Sequence, residues 1–176
     1  MTILSFLSFL NKDAKMKEKL LKVLNKIVAV ETNYELRIAK TVMAYLELSY
    51  LFYQSAHWQT KGSDFYGDHL LFQRLYEGVR EEVDGLGEKL VGVYGVENVD
   101  IYRRLQNIVA LSNFLSLEYI QKEYIGTSLL LEEKILDLLQ EADSLEFSSG
   151  TKDLFAGFAD THEGHLFLLK QRQTNS

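Results

Sequence analysis

The sequence predicts an all-α fold, a four-helix bundle with one long crossover. Three observations carry that prediction. Proline is absent from all 176 residues, whereas average usage of about 5% would supply roughly nine, so long helices run uninterrupted. Apolar residues recur at helical spacing over long stretches, and no segment alternates with period two for long. The composition, 47% hydrophobic and 25% charged, is that of one packed domain.

The elements follow in order. Over residues 12–29, Leu20, Leu21, Leu24, Ile27 and Val28 share one face, and Lys15, Lys19, Lys22 and Lys26 form a stripe on another. Residues 1–29 are therefore read as an N-terminal amphipathic segment, and 30–176 as the bundle domain. The first long helix is expected from about Glu31 to Thr60, with Tyr34, Ile38, Val42, Tyr45, Phe52 and Ala56 on one face at helical spacing. Gly62 supplies its turn, and Ser63 or Asp64 caps the next helix, expected from Asp64 to Tyr94 and stopped by Gly95. Gly78, Gly85, Gly87 and Gly92 inside that helix predict close packing against a neighbour. A linker with a short helix around Ile101–Val109 leads to a third long helix, Ser112–Phe147. Ser148–Thr151 breaks it, and the last helix spans Lys152–Gln173. Two tightly joined helices, a long crossover and two more give the ferritin-like layout.

Cysteine is absent, which excludes a disulfide framework, a zinc ribbon and a thiol nucleophile. The net charge of −6 disfavours a dedicated nucleic-acid binder and suits a metal cation. The apolar start, Met1–Leu10, has about half the ~20 residues of a membrane span and lacks the flanks of a signal peptide. The expected location is the cytoplasm, without membrane contact.

Chemistry narrows to four histidines, His57, His69, His162 and His165. None has Glu three residues before it, so the Glu-x-x-His pairs of an intra-bundle di-metal site are not expected. On the second long helix His69, Gln73, Asp84 and Glu88 fall within about 100° of one another, with His57 close by at the end of the first. Asp84 and Glu88, four apart, can place both carboxylates on one cation, and imidazole with carboxylate suits iron, manganese or zinc. Axial distance then constrains the site. His69 lies about 22 Å and Gln73 about 16 Å from Asp84 along a straight helix, against metal–ligand bonds of about 2 Å. One chain cannot close this sphere. Two chains paired about a two-fold axis can do so twice.

Residues 56–95, AHWQTKGSDFYGDHLLFQRLYEGVREEVDGLGEKLVGVYG, resemble the signature of Dps-type mini-ferritins (DNA-binding proteins from starved cells). The matching pieces are His57-Trp58, Lys61-Gly62, Phe65, His69, Asp84 and Glu88 at that family's spacing; Asp153-Leu154-Phe155 resembles the start of its last helix. The resemblance implies a twelve-subunit hollow shell with a ferroxidase centre at each two-fold interface. There Asp84 and Glu88 of one subunit and His57 of the other hold the first iron as catalytic ligands, and His69 helps a second through water. It further implies acidic three-fold pores, oxidation of ferrous iron by hydrogen peroxide or dioxygen, and ferric oxide stored inside, which protects DNA from radical damage. Gln73 departs from the family's Asp. A neutral amide binds a hard cation weakly, so the second iron position is expected to be the feebler one.

Other groups have plainer readings. Trp58 is read equally as packing or as a wall of the site. His162 and His165, with Asp160 and Glu163, are read chiefly as surface or interface polarity, with an extra metal site on the last helix as the alternative. Tyr45, Tyr50, Phe52 and Tyr53 are read as core aromatics, and Glu77 and Glu81 as surface partners of Arg80. Asp137, Glu141, Asp143, Glu146 and Asp153 gather where the family's pores lie. DNA binding is opposed by the charge of twelve subunits, about −72, and rests only on the lysine stripe. The competing expectation is a ferritin-like scaffold whose metal site is degraded at Gln73.

Overall fold

A computed structural model describes residues 33–115 and 124–174. The N-terminal amphipathic segment and its lysine stripe lie outside the described residues. Five α-helices and no strands appear among them: α1 Tyr34–Gln59, α2 Phe65–Tyr94, α3 Ile101–Phe114, α4 Tyr124–Asp143 and α5 Ser149–Thr174, with a 3-10 turn Val96–Val99 before α3. No described helix is long and apolar enough to cross a membrane.

Side-chain pairs at the helix ends fix the directions. Tyr34, at the start of α1, donates its hydroxyl to Glu141 near the end of α4. Tyr124, at the start of α4, donates to Gln59 at the end of α1 over 2.8 Å. Arg172, near the end of α5, reaches Asp68 (2.6 Å) and Asp64 (2.8 Å) at the start of α2. If α1 runs up, α2 and α4 therefore run down and α5 runs up. The connection from α2 to α4 must traverse the length of the bundle, and α3 is part of it.

Local chemistry explains the boundaries. Asn33 caps α1 by accepting from the Leu36 amide at 2.9 Å, so α1 starts three residues later than expected. Gly62 (φ 91°) and Gly95 (φ 98°) occupy the left-handed region where other residues are strained, and they end α1 and α2 as expected. The expected third helix, Ser112–Phe147, needs correction at both ends. Ser112–Phe114 belong to α3, and α4 stops at Asp143. Ser144 terminates it by turning its hydroxyl onto the Glu141 carbonyl at 2.7 Å, where a helix would place a later amide. Ser148 then opens α5, its carbonyl accepting from the amides of Thr151 and Lys152.

The core runs through all four long helices. Val42, Leu46 and Tyr53 of α1 meet Phe72, Leu75 and Leu86 of α2, Leu131 and Ile135 of α4, and Phe155 and Leu169 of α5. Tyr34, at the start of α1, is exposed although its spacing puts it on the same face as Ile38 and Val42. Of the α2 glycines, Gly87 faces Met43 and Gly78 faces His165, whereas Gly92 faces open space and packs nothing. The crossover is tied to the core by Arg104 of α3, whose Nε donates to buried Glu47 of α1 at 2.6 Å. Burial pushes the Glu47 carboxyl up, and Arg104 pulls it only part of the way back. Arg104→Ala is therefore expected to cost about 1–3 kcal/mol, because it strands that carboxylate. A urea midpoint unchanged by Arg104→Ala would contradict this.

Candidate metal centres

His57 and His69 come together where α1 hands over to α2. Their rings stack with centroids 3.7 Å apart and planes 21° apart. Each ring uses Nδ1 on the other residue's backbone carbonyl, at 2.8 Å for His57 and 2.9 Å for His69. A carbonyl can only accept, so each Nδ1 carries the proton and each Nε2 keeps a lone pair for a cation. The His57 carbonyl lies in the last turn of α1 and lacks a helical donor, which is why a side chain from α2 fills it. Phe65 stacks on the outer face of His69 and Tyr76 meets His57 edge-on.

The other expected site residues stay apart from this pair within the chain. Asp84 and Glu88 are exposed on α2, four turns or more beyond His69. Gln73 donates its amide to Glu77 at 2.9 Å, and Arg80 pairs with Glu81 at 2.7 Å on the surface. Trp58 is 68% exposed, which removes the reading as packing inside the chain. Phe65, Tyr66 and Leu70 are exposed around the same end of the bundle.

A second constellation lies inside the bundle, and it corrects the sequence reading of His162 and His165 as surface polarity. Both are buried, at 0% and 5% exposure, while Asp160 and Glu163 are exposed and play no part in it. Glu132 of α4 (0%) and Glu82 of α2 (6%) are buried with them. Glu132, His162 and His165 bring one potential ligand atom each within 4.8 Å of one another; among the described residues no other group of three does so. His162 Nδ1 donates to Glu132 Oε2, and the Tyr53 hydroxyl donates to Glu132 Oε1 at 2.5 Å. Burial pushes the Glu132 carboxyl up, but the His162 bond and the two histidines beside it more than reverse this, down to about 2. Burial likewise pulls His162 down, and Glu132 and Glu82 more than reverse it, up to about 9.

The sequence carried a signal for this cluster. Buried α2 residues run Phe72, Leu75, Val79, Glu82, Leu86, Leu90, and on α5 Phe155 and Phe158 lead in the same rhythm to His162, His165 and Leu169. A carboxylate or imidazole occupying a core position in such a row needs a partner on another helix. A search for Glu-x-x-His along one helix misses it, since the carboxylates come from α2 and α4.

No protein-family model matches the chain. Two curated relatives are the "Nutrient stress-induced DNA-binding protein" of Nostoc, 26% identical over 65% of this chain and 63% of the relative, and the "General stress protein 20U" of Bacillus subtilis, 27% identical over 88% and 97%. The chain thus spans under two thirds of the Nostoc protein. Among solved structures, Dps from Thermosynechococcus elongatus superposes with a TM-score of 0.55 at 20% identity, over 85% of this chain and 94% of that one. In sequence and in fold the chain is similar to Dps-type ferritin-like proteins. Another fold neighbour is the Dps protein of Vibrio cholerae (TM-score 0.52, 17% identity, 80% and 89% covered). It is described as a member of a broad superfamily of ferritin-like diiron-carboxylate proteins.

Proposed function

We propose that this Dps-type chain is a mini-ferritin: it oxidises ferrous iron at sites shared by two subunits and stores the ferric product in a hollow shell. The observation that carries this reading is the His57–His69 clasp, which offers two Nε2 lone pairs while the carboxylates needed to complete a site, Asp84 and Glu88, sit exposed far along α2. A two-fold partner running the opposite way supplies what each chain lacks. Exposed Trp58, Phe65, Tyr66 and Leu70 beside the clasp, and Ile101, Tyr102, Leu105 and Val109 along α3, are the apolar surface such a partner covers.

Ferrous iron is the substrate. His57 with Asp84 and Glu88 of the partner subunit takes the first ion, and His69 helps the second. One hydrogen peroxide accepts two electrons, one from each of two ferrous ions, and with two protons leaves as two waters. The ferric ions hydrolyse to oxide inside the shell. Consuming ferrous iron and peroxide together removes the reactants that make hydroxyl radical, which protects DNA without touching it. Asp137 and Asp143 of α4 share a cleft with Asp160 and Glu163 of α5 and form the acidic approach for incoming cations. A native mass of roughly 240 kDa and a ferric absorbance that grows on adding ferrous iron and peroxide test this reading. A monomer, or oxidation at the background rate, refutes it.

Gln73 sets the stoichiometry. Its amide is neutral and already donates to Glu77, so anaerobic titration of metal-free protein is expected to show one tight and one weak ferrous ion per site. Gln73→Asp is expected to tighten the weak one by ~10-fold or more. Two equally tight irons in the unaltered protein would contradict this.

A further inference from the structure

We propose that the bundle interior holds a second metal site, separate from the shared iron centre, in which Glu82, Glu132, His162 and His165 bind one divalent first-row transition ion per chain. It shares no residue with the His57, His69, Asp84 and Glu88 set and does not rest on that reading.

The cluster holds several buried polar atoms that lack a hydrogen-bond partner. Both Glu82 oxygens, His162 Nε2 and His165 Nδ1 are buried and have no hydrogen-bond partner. Each such atom costs about 1–3 kcal/mol if left so, and here four belong to three buried residues, Glu82, His162 and His165. They also approach one another closely. His162 Nε2 lies 2.9 Å from Glu82 Oε2, and His165 Nδ1 lies 3.4 Å from Glu132 Oε1, yet neither pair is aligned as a hydrogen bond. Donors around one ion at about 2.1 Å stand up to about 4.2 Å apart. The Glu132, His162 and His165 ligand atoms all fall within 4.8 Å of one another, so small side-chain rotations close the sphere.

Charge points the same way. The two buried carboxylates, Glu82 and Glu132, match the charge of one divalent cation. Two imidazoles with carboxylates select zinc, ferrous iron, cobalt or manganese over calcium or magnesium. The surrounding contacts are those of a supported site. Tyr53 donates to one Glu132 oxygen and so orients that carboxylate. On α2, Gly78 has only hydrogen where a Cβ would stand 3.5 Å from the His165 ring.

Cobalt(II) is the probe, added to chelator-stripped full-length protein carrying His57→Ala and Glu88→Gln so that the shared centre is disabled. The expected result is one cobalt per chain with visible ligand-field bands, displaced by zinc. Adding His165→Gln is expected to weaken binding at least ~10-fold, with Glu82→Gln as the second variant should His165→Gln fail to give folded protein by circular dichroism. No cobalt bound in the disabled background, or binding unchanged by a folded His165→Gln or Glu82→Gln, overturns the proposal and shows the cluster to be an ion-pair network alone. Because the readout is cobalt in a background without the shared centre, failure here leaves the iron-oxidising reading standing, and the reverse also holds.

Discussion

His57→Ala and Glu88→Gln are each expected to lower the initial rate of ferric absorbance by at least ~10-fold, since in the proposed shared site each removes a direct ligand, and even outer partners of ligands are worth about 10–100-fold. Neither side chain is in the core, and the helices should keep their thermal midpoint. The sharper result comes from mixing. If each site takes His57 from one subunit and Glu88 from the other, a dimer of one His57→Ala chain and one Glu88→Gln chain contains one doubly damaged site and one intact site. Random reassembly of the two inactive variants should then restore about a quarter of the sites. Activity staying at the level of the separate variants after subunit exchange would mean that the ligands do not cross an interface.

Glu132→Gln is expected to destabilise the metal-free protein by about 3–5 kcal/mol, the scale for removing one partner of a buried ion pair. His162 loses one counter-charge, and the amide offers a single acceptor oxygen where the fully buried carboxylate served both Tyr53 and His162. Replacing Glu82, Glu132, His162 and His165 together by apolar residues of similar volume should cost far less, because no charge is then stranded. The pair also sets a pH window. Glu132 titrates at about 2 in the fold against 4.5 in the open chain, so its stabilisation is present above 4.5 and lost as pH falls through about 2. His162 titrates at about 9 against 6.5, so its stabilisation is whole below 6.5 and lost as pH rises through about 9. Urea unfolding of metal-free protein should therefore show the largest contribution between pH 4.5 and 6.5. Equal stability of the unaltered and Glu132→Gln chains across that window would show the pair contributes nothing.

The all-helical order was legible because periodicity is a local property. Apolar rows, Gly62 and Gly95 each report on their own few residues, and α1 and α2 came out within three residues of expectation. The end of α4 was not legible, because Ser144 competes for a carbonyl in a way that a count of apolar positions does not register. The histidine clasp was half legible. Spacing put His57 and His69 at neighbouring helix ends, but nothing in the sequence says that each ring bonds the other's backbone. The buried Glu82–Glu132–His162–His165 cluster was written in the sequence as polar residues at core spacing, and was misread because its partners lie on three different helices. Such a cluster becomes visible only once α2, α4 and α5 are packed.

The clasp between His57 and His69 is complete within one polypeptide, so the imidazoles are aimed before any partner arrives and need no rearrangement when one does. Pairing alone would then switch on oxidation, and closing the shell would add only a container. A variant arrested at two subunits should still turn ferrous ions ferric, and the rust should fall out of solution instead of being kept.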